Sequence, residues 1–91
     1  MNNFGKPRVV VVTGASAGVG RATVRAFARQ GARVGLLARG RDGLEGARRE
    51  VEELGGRAWV APTDVADPEQ VEQAAEEVEN TLGPIDVWVN N

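Results

Sequence analysis

The segment Val9-Val10-Val11-Val12-Thr13-Gly14-Ala15-Ser16-Ala17-Gly18-Val19-Gly20 constrains this chain more than any other stretch. Its first part is a continuous β-branched run with no polar alternation. Such a run suits a strand covered on both faces, as in a parallel sheet. Glycines follow at once, and Arg21 to Gln30 then reads as a helix, with Val19, Ala22, Ala26 and Gln30 on one stripe beside Phe27. A strand that turns through glycines into a helix leaves free N–H donors and a partial positive charge at the helix start. Those are the groups a phosphate needs. Gly14 permits a tight turn off the strand, Gly18 lets main chain approach a pyrophosphate, and Gly20 lets the helix pack close to the sheet. The spacing is G-x3-G-x-G and differs from G-x-G-x-x-G; Arg21-Ala22 after the last glycine excludes a P-loop, which needs Lys-Ser/Thr there.

The same alternation continues along the chain. Gly31 stands where a C-cap glycine is expected. A second strand reads Arg33-Val34-Gly35-Leu36-Leu37-Ala38. Asp42 can cap a second helix with Leu44, Ala47, Val51 and Leu54 at three-and-four spacing. Gly43 and Gly46 weaken that helix by about 1 kcal/mol each, so a frayed first turn is expected. Gly55-Gly56 closes it. Ala58 to Ala61 forms the third strand. Asp67 caps a third helix with Pro68 at its first position, and Val71, Ala74 or Ala75, Val78 and Leu82 form its stripe. Gly83-Pro84 ends that helix, and Ile85 to Val89 forms a fourth strand before Asn90-Asn91. Right-handed crossovers turn βαβαβαβ into a doubly wound, three-layer α/β sheet of the Rossmann type. The expected strand order is 3-2-1-4, with the crossover from strand 3 to strand 4 making the topological switch point.

Composition narrows the chemistry. The chain has 91 residues, enough for one small domain, with 11 basic against 13 acidic side chains. That balance leaves no electrostatic footprint for nucleic acid or an anionic membrane, although Arg39, Arg41, Arg48 and Arg49 form a loose group. No cysteine and no histidine occurs, which removes disulfides, thiolate catalysis and the usual zinc sites. Met1 to Pro7 is short and polar, and the longest apolar run is far below a membrane span; a cytoplasmic protein is expected.

Thr13-Gly14-Ala15-Ser16-Ala17-Gly18-Val19-Gly20 resembles the cofactor motif of the short-chain dehydrogenase/reductase family. Asp64-Val65, after strand three, resembles its adenine-ring contact. Asn90-Asn91, after strand four, resembles the start of its Asn-Asn-Ala-Gly motif. The resemblance implies that Gly14, Ser16, Gly18, Val19 and Gly20 surround the pyrophosphate and adjacent riboses. It implies that Asp64 accepts from the adenine amino group, Val65 lies beside the ring, and Asn90 lies near the adenosine ribose. Read alone, Asp64 is a solvated or capping loop carboxylate.

The end of strand two reads Ala38-Arg39-Gly40-Arg41, where NAD binders normally carry an acidic residue for the ribose 2′-hydroxyl. Arg39 offers a planar, permanently charged fork suited to a 2′-phosphate, so NADP(H) is expected over NAD(H). Arg41 could add charge or simply be an exposed solubilising residue. The family's catalytic Asn, Ser and Tyr-x-x-x-Lys lie beyond Asn-Asn-Ala-Gly. Here no tyrosine occurs, Lys6 is the sole lysine, and Ser16, the sole serine, belongs to the turn. Residues 1–91 are thus expected to be a partial cofactor-binding domain, cut after strand four and inactive alone. The whole protein would interconvert an alcohol and a carbonyl by hydride transfer. A non-catalytic dinucleotide sensor or scaffold is the alternative. An FAD-type or other adenine-nucleotide site is a third reading, disfavoured because Arg39 would lack a partner. An open edge on strand four invites pairing with a second copy, with Ile85 and Trp88 nearby.

Overall fold

The computed structural model describes residues 7–91, so Lys6 lies outside the described residues. Seven elements follow in order: β1 (Val9–Thr13), α1 (Gly18–Arg29), β2 (Arg33–Ala38), α2 (Arg41–Glu53), β3 (Arg57–Pro62), α3 (Pro68–Leu82) and β4 (Val87–Val89). The sheet is parallel, with order β3-β2-β1-β4 as expected. β1 lies between β2 and β4, which makes its C-terminal end the switch point.

The unbroken valine run is explained by the two layers of helices. Val10 and Val12 project to one face, with Val24 and Ala28 of α1 and Leu44, Ala47 and Val51 of α2. Val9 and Val11 project to the other, with Ala74, Val78 and Leu82 of α3. All five residues of β1 are buried, so both faces of the strand are covered. On β2, Gly35 sits where a Cβ would come within 2.6 Å of Val78 Cγ2, so α3 rides close on the sheet at that point.

Several local expectations need correction. The stripe Val19, Ala22, Ala26 and Gln30 is not the buried face of α1: Val19 is 75% exposed, and Gly20, Val24 and Ala28 are buried instead. The physical reason is Gly20, which must face the turn; one and two helical turns later, Val24 and Ala28 follow it inward. Asp42 does not cap α2. The cap is Gly40, whose carbonyl accepts from Leu44 N–H at 3.3 Å, and Asp42 lies in the first turn. That turn is regular rather than frayed, since α2 is continuous from Arg41. Leu54 is the C-cap residue of α2 and is partly exposed. β1 runs Val9–Thr13, β3 extends to Arg57 and Pro62, and β4 is shorter than expected. At β4 the reason is Asp86, whose carboxylate accepts from Val9 N–H at 2.8 Å while its own N–H donates to the Val9 carbonyl at 2.8 Å.

The caps of α3 agree with expectation. Asp67 accepts from Glu69 N–H at 3.0 Å, and Pro68 occupies the first position. Gly83 ends the helix with φ of 112°.

Candidate functional site at the ends of the parallel strands

Every segment singled out for chemistry follows the C-terminal end of a strand: Gly14–Gly20 after β1, Arg39 after β2, Asp64 and Val65 after β3, and Asn90-Asn91 after β4. In an open parallel sheet these ends line a single crevice. The topology therefore gathers the residues that the sequence scatters.

The turn after β1 is built from three different demands on glycine. Gly14 and Gly18 have φ of 62° and 57°, the left-handed region that side chains disfavour. A Cβ on Gly18 would meet nothing within 4 Å, so the space over it is open. Gly20 is different: a Cβ there would lie 1.9 Å from the Gly14 carbonyl oxygen, so helix and turn touch backbone to backbone. The turn is tied to β2 by Ala15 N–H donating to the Leu37 carbonyl at 3.1 Å. Gly18, Val19 and Gly20 open α1, and their N–H groups have no acceptor within the helix. Ala17, the N-cap, offers no side-chain bond to satisfy them.

The far side of the turn is held by Asn91. Its Nδ2 donates to the Thr13 carbonyl at 2.8 Å, and its N–H donates to Thr13 Oγ1 at 3.0 Å. The Thr13 hydroxyl in turn donates to the Val89 carbonyl at 3.4 Å. Asn91 thus clasps β1 to β4 at the switch point, with its Cβ 3.4 Å from where a Gly14 side chain would start. Asn90 turns elsewhere, accepting from Trp88 Nε1 at 3.0 Å. From the sequence, Asn90 is expected near the adenosine ribose, and Asn91 carries no assigned role. The signal was available in the paired asparagines, but which one reaches back depends on the strand register.

At the opposite end, Arg39 and Asp64 meet. Arg39 Nη2 lies 3.1 Å from Asp64 Oδ2, with the arginine side chain 80% exposed and the aspartate 35%. The other carboxylate oxygen accepts from Ala66 N–H at 3.0 Å. These contacts, the backbone bond first and the Arg39 bond second, hold the Asp64 carboxyl below its ordinary range. Arg39 therefore has a partner within the protein, which removes one objection to an FAD-type site. Val65 beside it is 54% exposed. Arg41 pairs with Glu45 at 3.6 Å along α2, a surface ion pair one helical turn long.

Two glycines of α2 also belong to this region. A Cβ on Gly43 would come 2.8 Å from Ser16 Cβ, and one on Gly46 would come 3.2 Å from Arg21 Nη2. Both are read from sequence only as weak points in a helix. Their contacts show instead that α2 passes directly against the glycine turn. Arg21, which in the sequence only excludes a P-loop, lies against Gly46 here.

No helix among the described residues is long and apolar enough to cross a membrane. No group of three or more acidic, cysteine or histidine side chains that could hold a metal occurs among them.

Comparison with known proteins agrees with this geometry. The sequence model described as short chain dehydrogenase matches residues 8–91. The glycine betaine reductase of Emericella nidulans is 43% identical over 82 residues, covering 90% of this chain and 6% of that protein. An L-sorbose reductase from Gluconobacter frateurii, solved with NADPH and L-sorbose, superposes with a TM-score of 0.88 at 40% identity, over 94% of this chain and 33% of that one. An alcohol dehydrogenase from Thermococcus sibiricus, solved with 5-hydroxy-NADP, gives 0.86 at 38% identity, over 91% of this chain and 36% of that one. This chain thus spans from 6% to 36% of the length of these relatives. The order of the sheet, the glycine turn at its switch point and these matches agree, and the chain belongs to the short chain dehydrogenase family.

Proposed function

We propose that this chain is the NADP(H)-binding portion of an oxidoreductase that interconverts an alcohol and a carbonyl by hydride transfer. The observation that carries the reading is the glycine turn at the switch point. It joins open space over Gly18 to free N–H groups at the start of α1, with Arg39 rather than a carboxylate at the end of β2. A pyrophosphate would be held by the backbone of Gly14, Ser16, Gly18, Val19 and Gly20, where helix donors and dipole favour an anion. Arg39 would grip the ribose 2′-phosphate as a fork and exchange its present partner Asp64 for it. Asp64, freed, would accept from the adenine amino group, with Val65 against the ring and Asn90 near the adenosine ribose. The bound nicotinamide supplies the hydride chemistry; the chain's own residues bind it, orient it and set its charge environment.

The relatives solved with NADPH and with 5-hydroxy-NADP support a 2′-phosphorylated ligand. The chain contains no tyrosine, and its sole serine lies in the phosphate turn. Those facts support the expectation that these 91 residues bind cofactor without transferring hydride. They equally suit a dinucleotide sensor or scaffold. That second reading is tested by assaying carbonyl-dependent NADPH oxidation. Turnover above that of a glycine-turn variant would count against both the sensor reading and the expectation of inactivity.

Calorimetric titration of NADP+ and NAD+ into wild type and Arg39→Ala tests the cofactor assignment. Wild type should bind NADP+ more tightly than NAD+, and Arg39→Ala should remove about 1.5–3 kcal/mol of NADP+ affinity, the contribution of a charge-assisted bond. Equal NADP+ affinity in the two proteins would overturn the assignment of Arg39.

A further inference from the structure

We propose that Arg21 and Glu50 form a positioning pair that sets the glycine turn for the cofactor pyrophosphate, so that α2 governs the turn's affinity from outside the site. The inference rests on the dinucleotide reading above. Arg21 follows the last glycine of the turn and reaches in two directions. Its Nη1 donates to the Ser16 carbonyl at 3.1 Å, and its Nε donates to Glu50 Oε1 at 2.8 Å. Arg25 Nη1, one turn further along α1, donates to the same Glu50 oxygen at 3.4 Å. Both members of the pair are partly buried. The Glu50 carboxyl is held below its ordinary range, chiefly by the Arg21 hydrogen bond, so it stays charged at neutral pH.

The shape of α2 is fitted to this arrangement. Gly46 leaves room for the guanidinium, which a Cβ would crowd at 3.2 Å. Gly43 leaves room for Ser16 at 2.8 Å. Both glycines stand in a helix that alanine would favour, so the close approach to the turn is the feature they serve.

The consequence for an anion follows from peptide geometry. A carbonyl oxygen that swung toward a pyrophosphate would repel it. Arg21 holds the Ser16 oxygen instead, and no cis peptide occurs among the described residues. In a trans peptide the next N–H points opposite to the carbonyl. Gripping the Ser16 oxygen therefore fixes the direction of the Ala17 N–H as well. Arg21 acts on the phosphate through the backbone and Glu50 acts through Arg21.

Glu50→Gln separates positioning from simple charge. Removing a negative charge near an anion site would by Coulomb attraction alone tighten binding. Loss of positioning weakens it. The probes are NADP+ and adenosine 2′-monophosphate, which has the 2′-phosphate and adenine but no pyrophosphate, titrated into the 91-residue protein. Glu50→Gln and Arg21→Lys, which keeps the charge and loses the fork, should each weaken NADP+ about five- to tenfold. Each should leave adenosine 2′-monophosphate within about twofold. Unchanged or tighter NADP+ binding in both variants overturns the proposal while wild-type binding upholds the cofactor reading. Equal weakening of both probes, with a lowered Tm, makes the pair merely structural and also overturns it. Wild type that binds neither probe overturns the cofactor reading itself and the positioning role with it.

Discussion

Replacing Gly20 by alanine would put a Cβ 1.9 Å from the Gly14 carbonyl oxygen and 2.6 Å from its carbon. Close carbon–oxygen contacts settle near 3.3 Å, so the two must separate by about 1.4 Å. The obstacle is backbone, and it is tied down. The residue before it, Thr13, takes two hydrogen bonds from Asn91, and the residue after it, Ala15, donates to Leu37. Relaxation must therefore move the start of α1 or break the clasp between β1 and β4. Overpacking costs about 1–3 kcal/mol where side chains can yield, so a cost of about 3 kcal/mol or more is expected here. For a domain of this size that lowers Tm by about 12 °C or more. Gly18→Ala is the control. It also imposes a side chain on the turn, but into open space, and its penalty is the left-handed backbone alone, about 1–2 kcal/mol. Thermal melts followed by circular dichroism compare them. If Gly20→Ala melted at or above the temperature of Gly18→Ala, the backbone contact would not be what requires glycine there.

The same reasoning gives three more expectations. Gly35→Ala drives a Cβ to 2.6 Å from Val78 Cγ2 and should cost about 1–3 kcal/mol by denaturant unfolding; adding Val78→Ala should recover part of that, and strict additivity would refute the contact. Thr13→Val strips the hydroxyl that accepts from Asn91 N–H and should cost about 1–3 kcal/mol, whereas Thr13→Ser should cost little; equal losses would show that the methyl group, not the hydrogen bond, matters. Glu50 has its folded pKa lowered, so the stability it contributes is fully present above its unfolded pKa, about 4.3, and is lost as pH falls through the folded value. Unfolding of wild type and Glu50→Gln should therefore differ at pH 7 and converge in strong acid, and a gap independent of pH would contradict the ion pair with Arg21.

The layers of this fold were legible because period and composition agreed. The valine run could only be a strand covered twice, and its alternate residues do feed two separate clusters. Asp67-Pro68 marks the start of α3 because capping chemistry is local. What stayed hidden depended on contacts between distant segments. The rotation of α1 is set by Gly20 against Gly14, which turns Val24 and Ala28 inward in place of the stripe Val19, Ala22, Ala26 and Gln30. Asp42 looked like a cap, yet the chain entered the helix earlier, at Gly40. Gly43 and Gly46 read as defects until Ser16 and Arg21 were seen against them. Asn91 is 78 residues from Thr13, a separation that no local pattern bridges. The meeting of Arg39 with Asp64 has the same origin, since parallel strands bring their C-terminal ends together whatever lies between.

The crevice at these strand ends is proposed above to hold a dinucleotide. Backbone amide NMR during an NADP+ titration tests it residue by residue. Saturable shifts are expected at Gly14, Ser16, Gly18, Val19 and Gly20, with a second group at Arg39, Asp64 and Val65, and little change along α3. Shifts confined to other surfaces, or none at saturating NADP+, would contradict it.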